Sequence, residues 1–373
     1  MSPKKHILIL ASWYPNKYNG YNGNFIKRIA EVTSMEFKVT VLHMVTVQGD
    51  DAVCLEKKQI NNYLQEWTYY KPKGKLPFIT EGLRHIKAIE AQVGKIDFIH
   101  VQVIWNMGLL AYIQKRLYGT PYVITEHWTG YYEEDYQLNR TFMEYFTRKI
   151  ARKSSGFICV SESLSRKMTE LGIIYTEPVI LWNIVKEADI DCAKNSKQLI
   201  HVSNGRDFQK NVSGILKSFA KALKSVPELK LLCVGIQDTQ PYISLINDLN
   251  IGSQVRLVGP VEHQEVLKYI CESAALVSFS NFETFGITCA ESMSLGVPVI
   301  YTACGGPEEF LDPNSGIEVP IRDEQKLAEA MEVIGSQSRT FNHDTIKLRA
   351  RSIFSTDLWL KHLTAIYKAF NLN

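Results

Sequence analysis

The sequence predicts an α/β protein built from two doubly wound domains, and three observations carry that expectation. At 373 residues the chain is long for a single core and fits two domains of ordinary size. Short, nearly continuous apolar runs alternate with segments of helical period along most of the length, the pattern of parallel strands covered on both faces. The alternation comes as two series separated by a polar stretch, LWNIVKEADIDCAKNSKQ, residues 181–198. Each series therefore forms its own sheet with helices on either side.

In the first series HILILA (6–11), FKVTVLHMV (37–45), DFIHVQ (97–102), PYVIT (121–125) and GFICV (156–160) read as strands. Between them FIKRIAEV (25–32), FITEGLRHIKAIEAQV (78–93), MGLLAYIQKRL (107–117) and YFTRKIARK (145–153) carry helical spacing. The second series repeats the scheme with strands QLIHVS (198–203), LKLLCVG (229–235), QVRLVG (254–259), AALVSFS (274–280) and VPVIY (297–301). Its helices are VSGILKSFAKALKSV (212–226), EVLKYICES (265–273) and ITCAESMSL (287–295). The last amphipathic segment, TDLWLKHLTAIYKAF (356–370), follows the second series. In doubly wound sheets ligands bind outside the carboxyl ends of the strands, so loops at those ends are where function is sought.

Composition narrows the classes. With 45% hydrophobic and 22% charged residues the chain is an ordinary globular protein, and a formal charge of +3 is too small to imply a nucleic-acid partner. Residues 1–185 hold 23 Lys and Arg against 17 Asp and Glu, and the remainder 19 against 22. That split suits an anionic surface facing the first half, although solvated faces explain it equally well. The seven cysteines form no Cys-x-x-Cys pair and several sit in apolar runs, which points to a reducing compartment without a disulfide framework or zinc site. The start, MSPKKHILILASWYP, has too short an apolar run for a secretory core, and no stretch reaches the ~20 apolar residues of a membrane span. The expected location is the cytoplasm, with peripheral contact at the inner face of the cell membrane as an option.

The segment NFETFGITCAESMSLGVPVIYTACGGPEEF, residues 281–310, is the most informative. A strand ends at Ser280, a turn carries Glu283, and helical spacing starts after Gly286, with Glu291 eight residues beyond Glu283. Glycine at the helix start lets the backbone approach a ligand, and the unpaired amides there with the positive end of the helix dipole suit a diphosphate. Glu291 inside the helix can accept hydrogen bonds from a ribose, and Glu283 before it from a sugar on the distal phosphate. The plainer alternative is a capped helix with both glutamates in water.

This segment, with its order of turn, helix, GVPVI and GG followed by Glu, resembles the glutamate–seven–glutamate signature of the retaining glycosyltransferases of family 4. The resemblance implies the GT-B fold, two facing doubly wound Rossmann-like domains with a cleft between them. The domains are expected at 1–182 plus 355–373, binding acceptor, with the C-terminal helix crossing back, and at 183–354, binding donor. It implies transfer of a sugar, with retention, from a nucleotide diphosphate-sugar to a hydroxyl of a glycan or lipid-linked acceptor, in surface polysaccharide or glycoconjugate assembly.

Further stretches fit. In HVSNGRDFQKN (201–211) Arg206 and Lys210 lie between a strand and a helix, where cations meet phosphate oxygens; relatives carry Arg and Lys in such a loop, at wider spacing. The N-terminal SWYPNKYNGYNGNFIKR (12–28) resembles a common opening of the family, which implies Gly23 and Asn24 near donor phosphate and acceptor. In PYVITEHWTGY (121–131) a histidine, His127, stands where relatives contact the transferred sugar and the acceptor, with Glu126 as the alternative pocket residue. Many relatives have a histidine where this chain has Gln102, so His100 reads as structural; Asn183 reads as a hinge residue.

In the implied reaction Glu283, His127 and Lys210 are the catalytic group. Lys210, Arg206 and the amides around Phe285, Gly286 and Ile287 stabilise the leaving diphosphate, and Glu291 holds the ribose. No metal or other cofactor is expected, and Asp189 and Asp191 read as a solvated pair. The basic, aromatic TYYKPKGKLPF and FIKR segments can rest on anionic lipid, although a solvated loop is the plainer reading of KPKGK. Two rivals share the plan: a nucleotide-sugar epimerase, which needs no acceptor, and a binding module without chemistry. A nicotinamide enzyme is disfavoured, since no Gly-x-Gly-x-x-Gly follows the first strand.

Overall fold

A computed structural model describes residues 4–133, 142–185, 190 and 195–370. The chain divides into two compact units, Met1–Ile184 with Thr356–Asn373 and Val185–Ser355.

Unit 1 holds an eight-stranded sheet. Its strands are β1 (His6–Ala11), β2 (Lys38–Thr46), β3 (Cys54–Asn61), β4 (Leu64–Lys71), β5 (Phe98–Gln102), β6 (Tyr122–Glu126), β7 (Gly156–Cys159) and β8 (Val179–Ile180), in the order β3-β4-β2-β1-β5-β6-β7-β8. All pairings are parallel except β3 with β4. That antiparallel hairpin corrects the expectation of an all-parallel sheet. β3 reads CLEKKQIN and is mostly exposed, so no buried apolar run marks it in the sequence. A charged edge strand also discourages edge-to-edge pairing with other chains.

β1 is buried at every position, which fits its place in the middle of the sheet. The amphipathic helices Asn24–Thr33 and Thr356–Ala369 pack on this core. Trp359, Leu363, Ile366 and Tyr367 join Ile7, Ile9, Ile26 and Ile29 in one cluster. Trp359 adds a hydrogen bond from Nε1 to the carbonyl of Trp182, 2.9 Å. Each such large apolar side chain contributes roughly 1.5–3 kcal/mol when fully buried, enough to hold a C-terminal helix on unit 1.

Unit 2 holds a six-stranded parallel sheet of β9 (Asn195–Val202), β10 (Lys230–Val234), β11 (Val255–Val258), β12 (Ser273–Ser278), β13 (Val299–Thr302) and β14 (Gly316–Val319), in the order β11-β10-β9-β12-β13-β14. Helices Val212–Ala222 and Glu324–Gly335 supply Ile215, Phe219, Leu327 and Met331 to its core. The order reverses direction between β9 and β12, so the loops after these two strands diverge to opposite sides and leave room for a ligand between them. Arg206, Lys210, Glu283 and Gly286 all follow one or other of these strands.

Cys271 is disulfide-bonded, which corrects the expectation of unpaired cysteines; pairing depends on the distance between Cβ atoms in the fold, which sequence spacing does not report. Among the described residues Cys54, Cys159, Cys233, Cys289 and Cys304 are free. No helix among the described residues is long and apolar enough to cross a membrane.

Candidate active site

In unit 2 the loop after β9 is held by His201. Its Nδ1 bonds the carbonyl of Val277 on β12, 2.9 Å, and its Nε2 bonds Ser203 Oγ, 2.7 Å. Ser203 Oγ accepts from the amide of Gly205, and Gly205 in turn accepts from Tyr242 OH. Burial lowers the His201 pKa to about 4, so this post is neutral. Beyond it Arg206 caps a single helical turn, Asp207–Lys210, where the sequence suggested an open loop. The Arg206 guanidinium lies 4.6 Å from the Phe208 ring centre in an exposed position.

The loop after β12 meets this turn. The Asn281 amide donates to the Gln209 carbonyl, 2.7 Å, and Asn281 Nδ2 to the Phe208 carbonyl, 2.7 Å. Those bonds bring Lys210 Nζ to 2.5 Å from Glu283 Oε1, although 73 residues separate them. Ser280 Oγ donates to the same oxygen, 2.7 Å, and the Glu283 amide donates to the Cys304 carbonyl, 3.0 Å. Glu283 is 6% exposed, so its carboxylate is a fixed group with two donors and not a solvated turn residue.

Gly286 sits in the left-handed region, φ 82°, as the cap of helix Ile287–Ser294. A Cβ there would stand 2.8 Å from Pro307 Cγ, and one on Gly306 would stand 2.3 Å from Phe285 Cα. The two glycine turns of the segment therefore lock together, and only glycine fits either place. The Gly305 amide donates to both oxygens of Glu308. Among the described residues no backbone carbonyl takes the amides of Gly286, Ile287 and Thr288, and Ile287 and Thr288 are partly exposed. Phe285 contributes backbone only, since its ring packs on Phe310 and Phe354. Glu291, one turn into the helix and 5% exposed, lies 2.8 Å from His263 Nε2 and accepts a hydrogen bond from it.

Two partners leave no mark in the sequence. Ser280 shows only as the end of a strand, and His263 lies 28 residues before Glu291 with no spacing to connect them. The helix His263–Glu272, on the crossover from β11 to β12, packs against the helix Ile287–Ser294 and so brings His263 to Glu291.

Unit 1 assembles a second group at the carboxyl ends of β1, β5 and β6. Gly23, φ 70°, caps helix Asn24–Thr33, and a Cβ there would lie 2.5 Å from the Trp13 carbonyl carbon. Gly20 has open space instead and carries no such demand. Asn24 opens the helix and is half-buried. His127 is 5% exposed, with its ring 4.7 Å from that of Phe25 and its Nε2 2.8 Å from Gln102 Oε1. Burial pushes its pKa down to about 3, so the ring is neutral at any ordinary pH.

Glu126 does not face a pocket. It is fully buried and accepts from the amides of Ile104, His127 and Trp128 and from Tyr131 OH, at 2.9–3.1 Å. Burial raises its pKa while these donors oppose the rise. It fastens the turn after β5, where Val103 has φ 69°, a strained conformation for a β-branched residue. Asn183 is buried, and among the described residues its Oδ1 has no hydrogen-bond partner. Asp189 and Asp191 lie outside the described residues.

The profile described as "Glycosyl transferases group 1" matches residues 186–347, and that described as "Glycosyltransferase Family 4" matches residues 25–186. The chain belongs to the family 4 glycosyltransferases. Among curated relatives, alpha-monoglucosyldiacylglycerol synthase of Streptococcus pneumoniae is 26% identical over 59% of this chain and 55% of its own length. N-acetyl-alpha-D-glucosaminyl L-malate synthase of Bacillus anthracis is 27% identical over 64% of this chain and 65% of its own. The matches thus span between 55% and 65% of these glycosyltransferases. Sucrose-phosphate synthase from Thermosynechococcus elongatus superposes with a TM-score of 0.80 at 18% identity, covering 98% of this chain and 99% of that one. Anabaena HepE, solved with UDP and glucose, gives 0.73 at 14% identity over 98% and 100%. Both likenesses establish the fold, which is GT-B.

Proposed function

We propose that this family 4 glycosyltransferase transfers a sugar from a nucleotide diphosphate-sugar to a hydroxyl of a glycan or lipid-linked acceptor, with retention at the anomeric carbon. The observation that carries the reading is in unit 2: a buried Glu283 held by Lys210 and Ser280, on the turn just before the amides of Gly286, Ile287 and Thr288, which no backbone carbonyl takes among the described residues. Amides and a lysine aimed at one place stabilise a diphosphate as negative charge develops on it. Arg206, one turn from Lys210, adds a second cation for the phosphates. Glu283 binds hydroxyls of the sugar and orients it; Glu291, steadied by His263, binds the ribose.

As the anomeric carbon–oxygen bond breaks, its electron pair goes to the diphosphate. The acceptor oxygen forms the new bond on the same face and gives its proton to the departing phosphate oxygen. No protein nucleophile enters, and neither a metal nor another cofactor is required; a chelator is expected to leave turnover unchanged. Gly23, Asn24 and His127 serve the acceptor side.

Surface polysaccharide or glycoconjugate assembly is the process that fits a lipid-linked or glycan acceptor. Peripheral contact with an anionic membrane from the cytoplasmic side draws support from the helix Phe142–Lys153. There Arg148, Lys149, Arg152 and Lys153 line one hollow with Tyr145 and Tyr175. That basic, aromatic surface is a better candidate than the KPKGK stretch, whose flanks are taken up by β4 and the helix Lys75–Val93.

Thermal-shift measurement against a panel of nucleotide-sugars and free nucleotides tests the reading, because a ligand of the native state raises the melting point by mass action. Stabilisation by one nucleotide diphosphate class, lost in Lys210→Met, is the expected result. No response to any nucleotide would refute it, and product formed from donor alone would favour an epimerase.

A further inference from the structure

Four side chains of unit 1 form one continuous hydrogen-bonded row. Tyr367 OH lies 2.6 Å from His100 Nδ1, His100 Nε2 lies 3.0 Å from Gln102 Nε2, and Gln102 Oε1 lies 2.8 Å from His127 Nε2. Thr125 Oγ1 also meets His100 Nε2, at 2.7 Å. All five residues are at most 5% exposed, so water does not substitute for any member.

An amide side chain has one face that accepts and one that donates. Gln102 bridges the two imidazoles with both faces at once, so their facing nitrogens must differ: one bears a proton and the other does not. With Oε1 toward His127, His127 Nε2 carries the proton and leaves Nδ1 as a lone-pair acceptor. With the Gln102 amide donating to it, His100 Nε2 is the unprotonated one, and His100 Nδ1–H donates to Tyr367. Both rings are held neutral by burial, with pKa values lowered to about 3, so neither escapes the constraint by becoming an imidazolium. Gln102 is fixed further by the strained Val103 that follows it, whose amide donates to the Thr125 carbonyl, 2.8 Å.

We propose that Gln102 is a positioning residue that sets the tautomer of His127 by coupling it to His100 and, through His100, to Tyr367 on the C-terminal helix. His127 is thereby kept in one neutral tautomer, with its Nε2 proton donated to Gln102 and the unprotonated Nδ1 turned into the buried interior. The consequence for transfer rests on the reading of His127 as an acceptor-side residue; the coupling itself does not.

Nitrogen-15 NMR of the histidine side chains in the full chain, assigned with His100→Asn and His127→Asn, reads the tautomers directly. The wild-type protein should show His127 protonated at Nε2 and His100 at Nδ1. Tyr367→Phe removes the acceptor of the His100 proton without a change of shape. It should turn His100 to its Nε2–H form, rotate the amide, and convert His127 to Nδ1–H, although residue 367 does not touch His127. Gln102→Leu should leave His127 in mixed tautomers and lower kcat on the order of ten-fold, as loss of an orienting partner does, with donor KM unchanged. The same tautomer on both rings of the wild type, or a His127 signal indifferent to both variants, overturns the proposal. If the tautomers respond but His127→Asn keeps full turnover, the coupling stands and the acceptor-side reading of His127 fails.

Discussion

Replacing Lys210 by methionine keeps an unbranched apolar stem, one atom shorter, and removes the ammonium with its charge and its hydrogen-bond donors. In the native protein Nζ lies 2.5 Å from Glu283 Oε1, with the two side chains 19% and 8% exposed. Breaking a wholly buried ion pair from one side costs roughly 3–5 kcal/mol, and an exposed pair contributes about 0–1 kcal/mol. This pair sits between those limits, and Ser280 still donates to the stranded carboxylate, so the expected loss is about 2 kcal/mol. For a unit of this size each kcal/mol moves the melting point by about 2–4 °C, which puts the drop in unit 2 near ~4–8 °C. Turnover should suffer far more, by roughly 10²–10³-fold, the effect of deleting one preorganised donor at a site of developing charge. Calorimetry and a transfer assay with the donor identified by thermal shift read the two effects separately. Glu283→Gln with Lys210→Met should then show a coupling of about 1–3 kcal/mol in a double-mutant cycle. A variant that melts and turns over like the wild type, or strict additivity in the cycle, would show that the pair is ornamental and that the diphosphate reading is wrong.

Gly286→Ala forces a Cβ to 2.8 Å from Pro307 Cγ at φ 82°; the left-handed backbone alone costs roughly 1–2 kcal/mol. Donor KM should rise with a lowered melting point of unit 2, while Gly20→Ala, in open space, should change neither. Acid should destabilise unit 1 before unit 2. His43, His100 and His127 in unit 1 have folded pKa values of about 4, 3 and 3, against about 4 for His201 in unit 2. A histidine with a depressed native pKa binds more protons when unfolded. Its contribution is therefore complete above the unfolded value near 6.5 and declines as pH falls toward the native one. By pH 5 each such group has removed roughly 2 kcal/mol, and raised Glu126 offsets only part of that. Melting followed from pH 7.5 to 5 tests this; a pH-independent first transition would contradict it.

Much of the fold was legible because buried parallel strands must be apolar along their whole length. HILILA, FIHVQ and LKLLCVG admit no other reading, and they became β1, β5 and β10. The hairpin of β3 and β4 escaped since one strand faces solvent, and the helix Glu162–Glu170 escaped since ESLSRKMTE buries only Leu164 and Met168. Within the site, the nearness of Glu283 to Gly286 and of Arg206 to Lys210 was visible as local spacing.

The amino-acid order by itself determined where a left-handed glycine could open a helix and which loops could carry charge, because backbone conformation and strand burial are local properties. Only the tertiary structure decided that Lys210 pairs with Glu283, that His263 meets Glu291, and that Glu126 is a structural clamp while Gln102 bridges two histidines. Those relations span 73, 28, 22 and 25 residues. They exist because parallel sheet order places the ends of sequence-distant strands side by side.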